Sequence, residues 1–400
     1  MKKILLLGGS AQQVVAIETA KKLGYYTVLC DYLKDNPGQF VADKFYLEST
    51  TDREKILSIA KAEAVDGIIA YASDPAAPTA AYVAEAMGLP TNPYKSVETL
   101  CNKEKFRAFL NENGFNSPTS YWYDNKDEAI KHSAEFEYPV MVKPVDSSGS
   151  KGVSIVKDEN AILKAVEVAF SFSRSKRIII EKYVEKCHDY LIGGDIFISN
   201  GRVIAWGLLN CHRDNSVNPL VPVGKSYPLC LNEEQEISVK KTIQDIIAKL
   251  GLKFGLINVE LVIDKNGSVW PIDIGPRAGG NMIPDLMGLI FNADFVKMAV
   301  QSAMGITFDE AELRGSGCFA SHNLHCSERG NFKEIEFRDT LKKHIVEEHI
   351  FVKPNDEVYP FEFSSRLLGI ILMKFSNKEE MLSILNGIND LYGVKLYQND

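Results

Sequence analysis

Residues 257 to 280, INVELVIDKNGSVWPIDIGPRAGG, constrain the fold of this chain more than any other stretch. Alternating apolar residues flank Asn266-Gly267, a dipeptide suited to the two positive-φ positions of a tight hairpin turn. With those two residues as the turn, Glu260 falls opposite Asp273 on one face, with Cβ atoms about 4.5–5.5 Å apart, and Asn258 falls opposite Gly275. Two like charges facing each other weaken a sheet, so something must compensate them. Mg²⁺ takes one or two carboxylates and fills its remaining positions with phosphate oxygens and water. The hairpin therefore reads as a metal platform for a nucleotide. The plainer alternative is a pair of acids on a solvated face with lysines nearby. It fits poorly with the apolar neighbours and with the run into Arg277 and then Gly279-Gly280, where backbone can approach a ligand closely.

The rest of the chain supplies two kinds of architecture. Residues 4 to 7 form a buried strand, Gly8 and Gly9 a turn, and 12 to 23 a helix with Val14, Val15, Ile17, Ala20 and Leu23 inward, ended by Gly24. The strand YTVLCDY follows, then the strand DGIIAYA at 66 to 72 and a helix at 79 to 87 ended by Gly88. Strands alternating with helices predict a parallel, doubly wound α/β domain over 1–95. NPYKSVETLCNKEKFRAFLNENG predicts a helix closed by Gly114. From 119 to 275 the pattern becomes α+β, with hairpin turns at Asn200-Gly201 and Asn266-Gly267. It includes a long helix at 233 to 250 with Ile243, Ile246, Ile247 and Leu250 on one face, started by a capping box of Asn232 and Gln235. This second domain spans 96–304. A small α+β segment over 305–400 closes with a helix at 378 to 391 capped by Asn377.

Composition excludes several classes. The 400 residues are 45% apolar and carry 45 Lys and Arg against 53 Asp and Glu, a formal charge of −8. Disorder and small disulfide scaffolds are excluded. No dense basic stretch meets the demand of a phosphate backbone for cations, so nucleic acid is not an expected partner. The seven cysteines are odd in number and contain no C-x-x-C, which points to a reducing compartment. MKKILLLGG is too short for a signal-peptide core, and LLGIILM at 367 to 373 is far short of a membrane span. A cytoplasmic protein without membrane partners is expected.

YPVMVKPVDSSGSKGVSIV, residues 138 to 156, places Lys143 at the end of an apolar strand. The loop after it, with Ser147, Ser148, Gly149, Ser150 and Gly152, offers backbone N–H groups and hydroxyls to phosphate oxygens, although it is not a Walker A motif. Residues 208 to 228 form a long polar excursion with His212, Arg213 and Lys225; a guanidinium there can anchor a substrate carboxylate bidentately, or these residues are rim charges. His322, His325 and Cys326 in SHNLHCSE read as structural rather than as a zinc site, because strand residues three apart point to opposite faces. Gly8-Gly9-Ser10 reads as a tight turn, since it fails G-x-G-x-x-G. Asp31 and Asp74 follow strands at the edge where doubly wound sheets bind ligands, as helix caps or substrate contacts.

In their order, Lys103, VMVKP with its Ser/Gly loop, EKYVEKCHD and the V-E…D-I-G-P-R hairpin resemble the ATP-grasp ligases over about residues 1 to 300. Residues 1–95, with the G-G-S turn and ASDPAAPTAAYVAEAMGLP, resemble the Rossmann-like domain that precedes the ATP-grasp fold in them. The resemblance implies that Lys103 and Lys143 bind the ATP phosphates and that Ser147 to Gly152 fold over them as a lid. It implies that Glu181, with backbone around Tyr183 and Val184, reads adenine, and that Asp189 stands where the family has a ribose-binding glutamate. Glu260 and Asp273 match ligands of Mg²⁺ or Mn²⁺, and Arg277 matches the arginine that stabilises the transferred phosphate. One departure is Gly275, where the family commonly has a metal-binding Asn; water, or Asn258 opposite, is expected to fill that position. The implied activity is an ATP-dependent carboxylate–amine ligase working through an acyl phosphate, with an amino acid or small carboxylic acid as substrate. His212, Arg213 and Asp74 are the candidate substrate contacts, and relatives of this kind are often homodimers. The alternatives are a bicarbonate-activating carboxylase and an ATP-binding regulatory protein without turnover, in which restoring Asn at 275 would raise metal affinity.

Overall fold

A computed structural model describes residues 1–147, 149–363 and 366–397; Ser148 of the glycine loop lies outside them. The first apolar run forms strand Lys3–Leu7, which pairs in parallel with Tyr26–Asp31 and Gly67–Ile69. Lys44–Leu47 adds a fourth strand at the edge, and helix Arg53–Glu63 covers a stretch for which the sequence pattern gave no element. Helix Val14–Lys22 buries Ala16, Ile17 and Ala20, and helix Ala77–Met87 ends at Gly88 in the left-handed region, φ 66°. Asp31 caps no helix. Its carboxylate accepts from Gly9 N and Leu33 N, both at 2.7 Å, and fixes the Gly8-Gly9 turn.

The segment expected to form one helix before Gly114 forms two, Tyr94–Leu100 and Lys103–Glu112. Asn102 breaks the first and caps the second, its side chain accepting from Lys105 N. Lys103 is thereby set in the first turn of a new helix. A small antiparallel sheet follows in the order Ser120–Tyr123, Ile178–Lys182, Val140–Pro144, Ser154–Val156.

The central antiparallel sheet has eight strands: Val269–Gly275, Gly255–Ile263, Leu191–Ser199, Arg202–Arg213, Pro222–Tyr227, Cys318–Leu324, Gly369–Phe375 and Ile345–Ile350. Strands beyond residue 305 therefore continue the sheet that carries the carboxylate hairpin. Helix Glu233–Leu250 has the expected capping box and packs Val239, Ile243, Ile246 and Ile247 on one face of the sheet; Ile283–Phe291 and Phe295–Ala303 cover the other. The closing helix, Lys378–Asn386, is capped by Asn377 but ends before 391, because the chain turns at 388–390 into strand Tyr392–Leu396. Among the described residues no helix is long and apolar enough to cross a membrane.

The two Asn-Gly hairpins differ. Asn200 and Gly201 both have positive φ, and Ser199 pairs with Arg202 across a two-residue turn, as expected. At the second, only Gly267 has positive φ, 81°. The Asp264 carboxylate accepts from Asn266 N and Ser268 N at 2.9 Å and from Trp270 Nε1 at 3.0 Å, and Asp264 N donates to Ser268 O. This builds a three-residue loop and offsets the pairing by one, so that Leu261 faces Pro271. A bulge beside Pro271, which lacks an N–H, takes up Ile272 and restores the register. The two deviations cancel where it matters: Glu260 faces Asp273 and Asn258 faces Gly275.

Candidate active site

A cavity of about 620 Å³ opens between the three sheets. Its wall includes Lys103, Lys143, Ser147, Gly149, Ser150, Glu181, Tyr183, Val184, Asp189, Arg213, Glu260, Asp273 and Arg277, together with Asp74 from the first domain. Two of the expected site residues are elsewhere. His212 is buried behind the wall, and Gly152 is buried outside the cavity lining, where a Cβ would meet Phe172 Cβ at 2.8 Å and Pro144 Cγ at 2.9 Å.

The wall formed by the small sheet is organised around a buried carboxylate. Lys143 and Glu181 lie on neighbouring strands of the small sheet and form an ion pair. Glu181 also accepts from Arg107 Nε at 3.0 Å and Nη2 at 3.3 Å, and Arg107 Nη2 donates to Ile272 O at 2.8 Å. Burial pushes the Glu181 carboxyl up, but Arg107 and Lys143 outweigh it and hold it down at about 2. Burial, with Arg107 and Lys103 nearby, pulls the Lys143 ammonium below its usual range against the attraction of Glu181. Two cations on one carboxylate leave a net positive charge at the cavity wall, which an anion relieves. The Glu181 carboxylate, expected at the adenine edge, is engaged in this triad, while the residue lines the cavity with Tyr183 and Val184. Tyr183 N is likewise tied to Pro139 O at 3.0 Å.

Lys103 Nζ donates to Ser147 O at 3.0 Å and lies 3.9 Å from Asp273, so it links the glycine loop to the carboxylate hairpin. In that loop Gly149 and Ser150 are both left-handed, φ 66° and 59°, a backbone that turns successive N–H groups to one side. The Ser147 and Ser150 hydroxyls are engaged within the protein, Ser147 Oγ with Lys151 O and Ser150 Oγ with Leu220 O.

Glu260 and Asp273 present two carboxylates from opposed strands, and the Asp273 side chain is 44% exposed. Among the described residues no group of three or more His, Cys, Asp or Glu could hold a metal ion. Two hard oxygen donors beside a wall lined by Lys103 and Lys143 nevertheless fit Mg²⁺, which keeps several waters. The volume above Gly275 is not left to water. A Cβ there would lie 2.9 Å from Asp74 Oδ1 and 3.1 Å from Arg277 Cζ. Arg277 grips Asp74 bidentately, Nε to Oδ1 and Nη2 to Oδ2, both at 2.7 Å, and this pair fills the space. Burial disfavours the Arg277 charge, but Asp74 more than offsets it and its pKa is raised. Asp74, expected as a substrate contact, lines the cavity as the partner of Arg277. Asn258 turns its amide to Gly194 O and to Asp195 Oδ1, at 3.0 and 2.8 Å.

The sequence pattern missed several residues. Asp195 is fully buried and accepts from Asn258 Nδ2 and from Gly279 N at 2.7 Å, fixing the loop after Arg277; burial pushes its carboxyl up. A lone acid in the apolar strand LIGGDIFIS was the available signal. Gln12 accepts from Asn281 N at 3.0 Å and ties the first domain to the same loop. Lys225 Nζ donates to Cys211 Sγ at 2.7 Å, and both line the cavity. His212 Nε2 meets Ser226 Oγ at 2.8 Å, and burial and then Lys225 pull it down to about 4, so it is a neutral structural residue. His322 and His325, expected on opposite faces of a strand, come together because the strand ends at Leu324; their rings lie 5.6 Å apart, both packed against Tyr392.

These features define a nucleotide site on an antiparallel platform. The family profile "Carbamoyl-phosphate synthase L chain, ATP binding domain" matches residues 102–311. The chain belongs to this family and, with it, to the ATP-grasp superfamily. The chain is 26% identical over 294 residues to the carbamoyl phosphate synthase large chain, C-terminal section, of Aquifex aeolicus, covering 69% of this chain and 53% of that protein. It spans about half or less of the length of the carbamoyl phosphate synthase chains it matches. It is 23% identical over 387 residues to the formate-dependent phosphoribosylglycinamide formyltransferase of Sulfurisphaera tokodaii, covering 95% of this chain and 94% of that one. The fold is that of an L-amino acid ligase from Bacillus licheniformis (TM-score 0.83, 21% identity, 100% and 99% coverage). It is also that of a phosphoribosylglycinamide synthetase from Anaerococcus prevotii (TM-score 0.77, 21% identity, 99% and 100%).

Proposed function

We propose that this chain is an ATP-dependent ligase that joins a small carboxylic acid to an amine through an acyl phosphate. The observation that carries the reading is the convergence of Lys103, Lys143 and Arg277 with the opposed pair Glu260 and Asp273 on one cavity. Lys143, paired with Glu181, and Lys103 bind the ATP phosphates, and Ser147, Gly149 and Ser150 line the same cavity. Glu260 and Asp273 would hold Mg²⁺, which when bound neutralises phosphate charge. The substrate carboxylate attacks the γ-phosphorus; its new O–P bond replaces the bond to ADP, and Arg277, oriented by Asp74, faces the charge that shifts. The amine nitrogen then attacks the acyl carbon, loses a proton and expels phosphate. No enzyme nucleophile is needed. Closure of the glycine loop keeps water from the acyl phosphate.

The test is ADP release from Mg-ATP across paired acids and amines, and with bicarbonate alone. Stimulation by an acid with an amine, absent in Glu260→Ala, supports the ligase. Stimulation by bicarbonate alone replaces it with a carboxylase, and ATP binding without release under every pair replaces it with a regulatory role.

A further inference from the structure

The cations that line the cavity are not equally balanced. Lys143, Lys103, Lys182 and Arg277 each have a carboxylate within reach, and Lys186, exposed at the rim, donates to two backbone carbonyls. Arg213 and Lys225 have none among the described residues: Arg213 donates to Leu220 O and Lys225 to a thiol. The Lys225 residue is only 7% exposed. A buried ammonium whose one partner is a thiol is costly to desolvate, so a complementary anion is the missing part.

Position sharpens the point. Lys225 pairs directly with Cys211 on one side and Ser321 on the other, and Arg213 lies two residues beyond Cys211 at the end of the same strand. A Cβ at Gly193 would come within 2.6 Å of Cys211 Sγ and 2.9 Å of Lys225 Nζ, so the bare glycine makes room for the ammonium to lean across. Gly193 is the direct cross-strand partner of Glu260. Arg213 and Lys225 thus stand on the second and third strands beyond the one that carries Glu260, on the side away from Asp273. Asn323, 1% exposed, lines the same end and leaves Oδ1 without a partner, an acceptor for an N–H or O–H of the ligand. The acids on the cavity wall are already committed, Asp74 to Arg277, Glu181 to Lys143 and Arg107, and Glu260 and Asp273 to the platform, while Asp189 sits exposed at the rim.

We propose that Arg213 and Lys225 form an anion subsite, so that the acid substrate carries a second negative group, a carboxylate or a phosphate, besides the carboxylate that is activated. A guanidinium beside an ammonium suits either group. This deepens the ligase reading and rests on it.

The experiment uses the whole protein with Mg-ATP and hydroxylamine as the amine, so that any acyl phosphate is trapped as a hydroxamate. Substrates are offered as charge-only pairs: aspartate and asparagine, glutamate and glutamine, succinate and succinamate, phosphoserine and serine. The expected result is at least a tenfold higher kcat/KM for the anionic member of one pair. The carboxylate pairs and the phosphate pair tell the two anion sources apart. Lys225→Met and Arg213→Gln should each remove most of that preference through KM for the acid, with KM for ATP within twofold of wild type. Neutral members used as well as anionic ones in every productive pair, or a preference that survives both substitutions, overturns the subsite and leaves the ligase intact. If no acid gives ADP release, the ligase reading itself fails. Calorimetric titration of the Mg-ADP-loaded protein with succinate and with inorganic phosphate then decides the subsite alone. Binding weakened at least tenfold by Lys225→Met supports it, and no binding, or binding indifferent to the substitution, overturns it.

Discussion

Gly275→Ala tests how the two halves of the site are joined. The added Cβ would stand 2.9 Å from Asp74 Oδ1 and 3.1 Å from Arg277 Cζ, each closer than a relaxed carbon contact. Asp74 cannot simply step aside, because both its oxygens are held at 2.7 Å by Arg277. Overpacking of this kind costs about 1–2 kcal/mol. Asp74→Ala strands a guanidinium that is 14% exposed with Ala278 O as its remaining partner. Breaking a buried pair costs about 3–5 kcal/mol, and partial exposure of both groups brings this to about 2–3. Because the alanine acts through Asp74, the double variant should cost no more than Asp74→Ala alone, a coupling of about 1–2 kcal/mol. Urea unfolding of the four proteins at pH 7 measures the cycle, and ADP release should fall in all three variants as Arg277 loses its orientation. Additive costs, or a neutral Gly275→Ala, would refute the reasoning. The same geometry predicts that Gly275→Asn weakens rather than tightens metal binding, since the volume it needs is filled.

Three further outcomes are expected. Arg107→Met leaves Ile272 O without its donor and Glu181 facing Lys143 alone; unfolding free energy should drop by about 3–5 kcal/mol, and KM for ATP should rise as the net charge of the triad falls. A thermal melt no lower than wild type would count against the triad. His212, held at about 4 against an ordinary 6.5, stays neutral in the fold while the unfolded chain takes up a proton. Its contribution to stability is complete above pH 6.5 and is lost as the pH falls to 4, by about 3 kcal/mol at about 1.4 kcal/mol per unit. His212→Asn should flatten the urea-midpoint curve between pH 6.5 and 4, and an unchanged slope excludes the assignment. Asp273→Asn should raise the Mg²⁺ concentration needed for half-maximal ADP release at least tenfold while melting within a few degrees of wild type; an unaltered Mg²⁺ requirement would remove Asp273 from the metal platform.

Much of the site is local and could be read from the chain alone. The opposition of Glu260 and Asp273 follows from alternation around one turn, and the placement of Lys143 from one apolar strand followed by proline and serines. Helix Glu233–Leu250 declares its start, end and buried face in consecutive residues. These features depend on periods of two and 3.6 residues and on caps, all short-range. Even there a neighbour can intervene: the Asp264 carboxylate captured the Asn266 and Ser268 amides and lengthened the loop, and the register survived because Pro271 forced a compensating bulge. What the chain alone does not disclose is which charges meet. Arg277 and Asp74 are 203 residues apart, Arg107 and Glu181 74, and neither pairing leaves a periodic trace. Gly275 in isolation looks like a lost metal ligand; packed, it is the space that the Arg277–Asp74 pair occupies. The final hundred residues carried no legible motif, yet they return to the central sheet and bring Ser321 and Asn323 beside Lys225. Local sequence sets backbone geometry through sterics and hydrogen bonding between near neighbours. Which distant groups neutralise one another, and which cation is left waiting for a ligand, is decided when the sheets pack, because charge balance belongs to the assembled cavity.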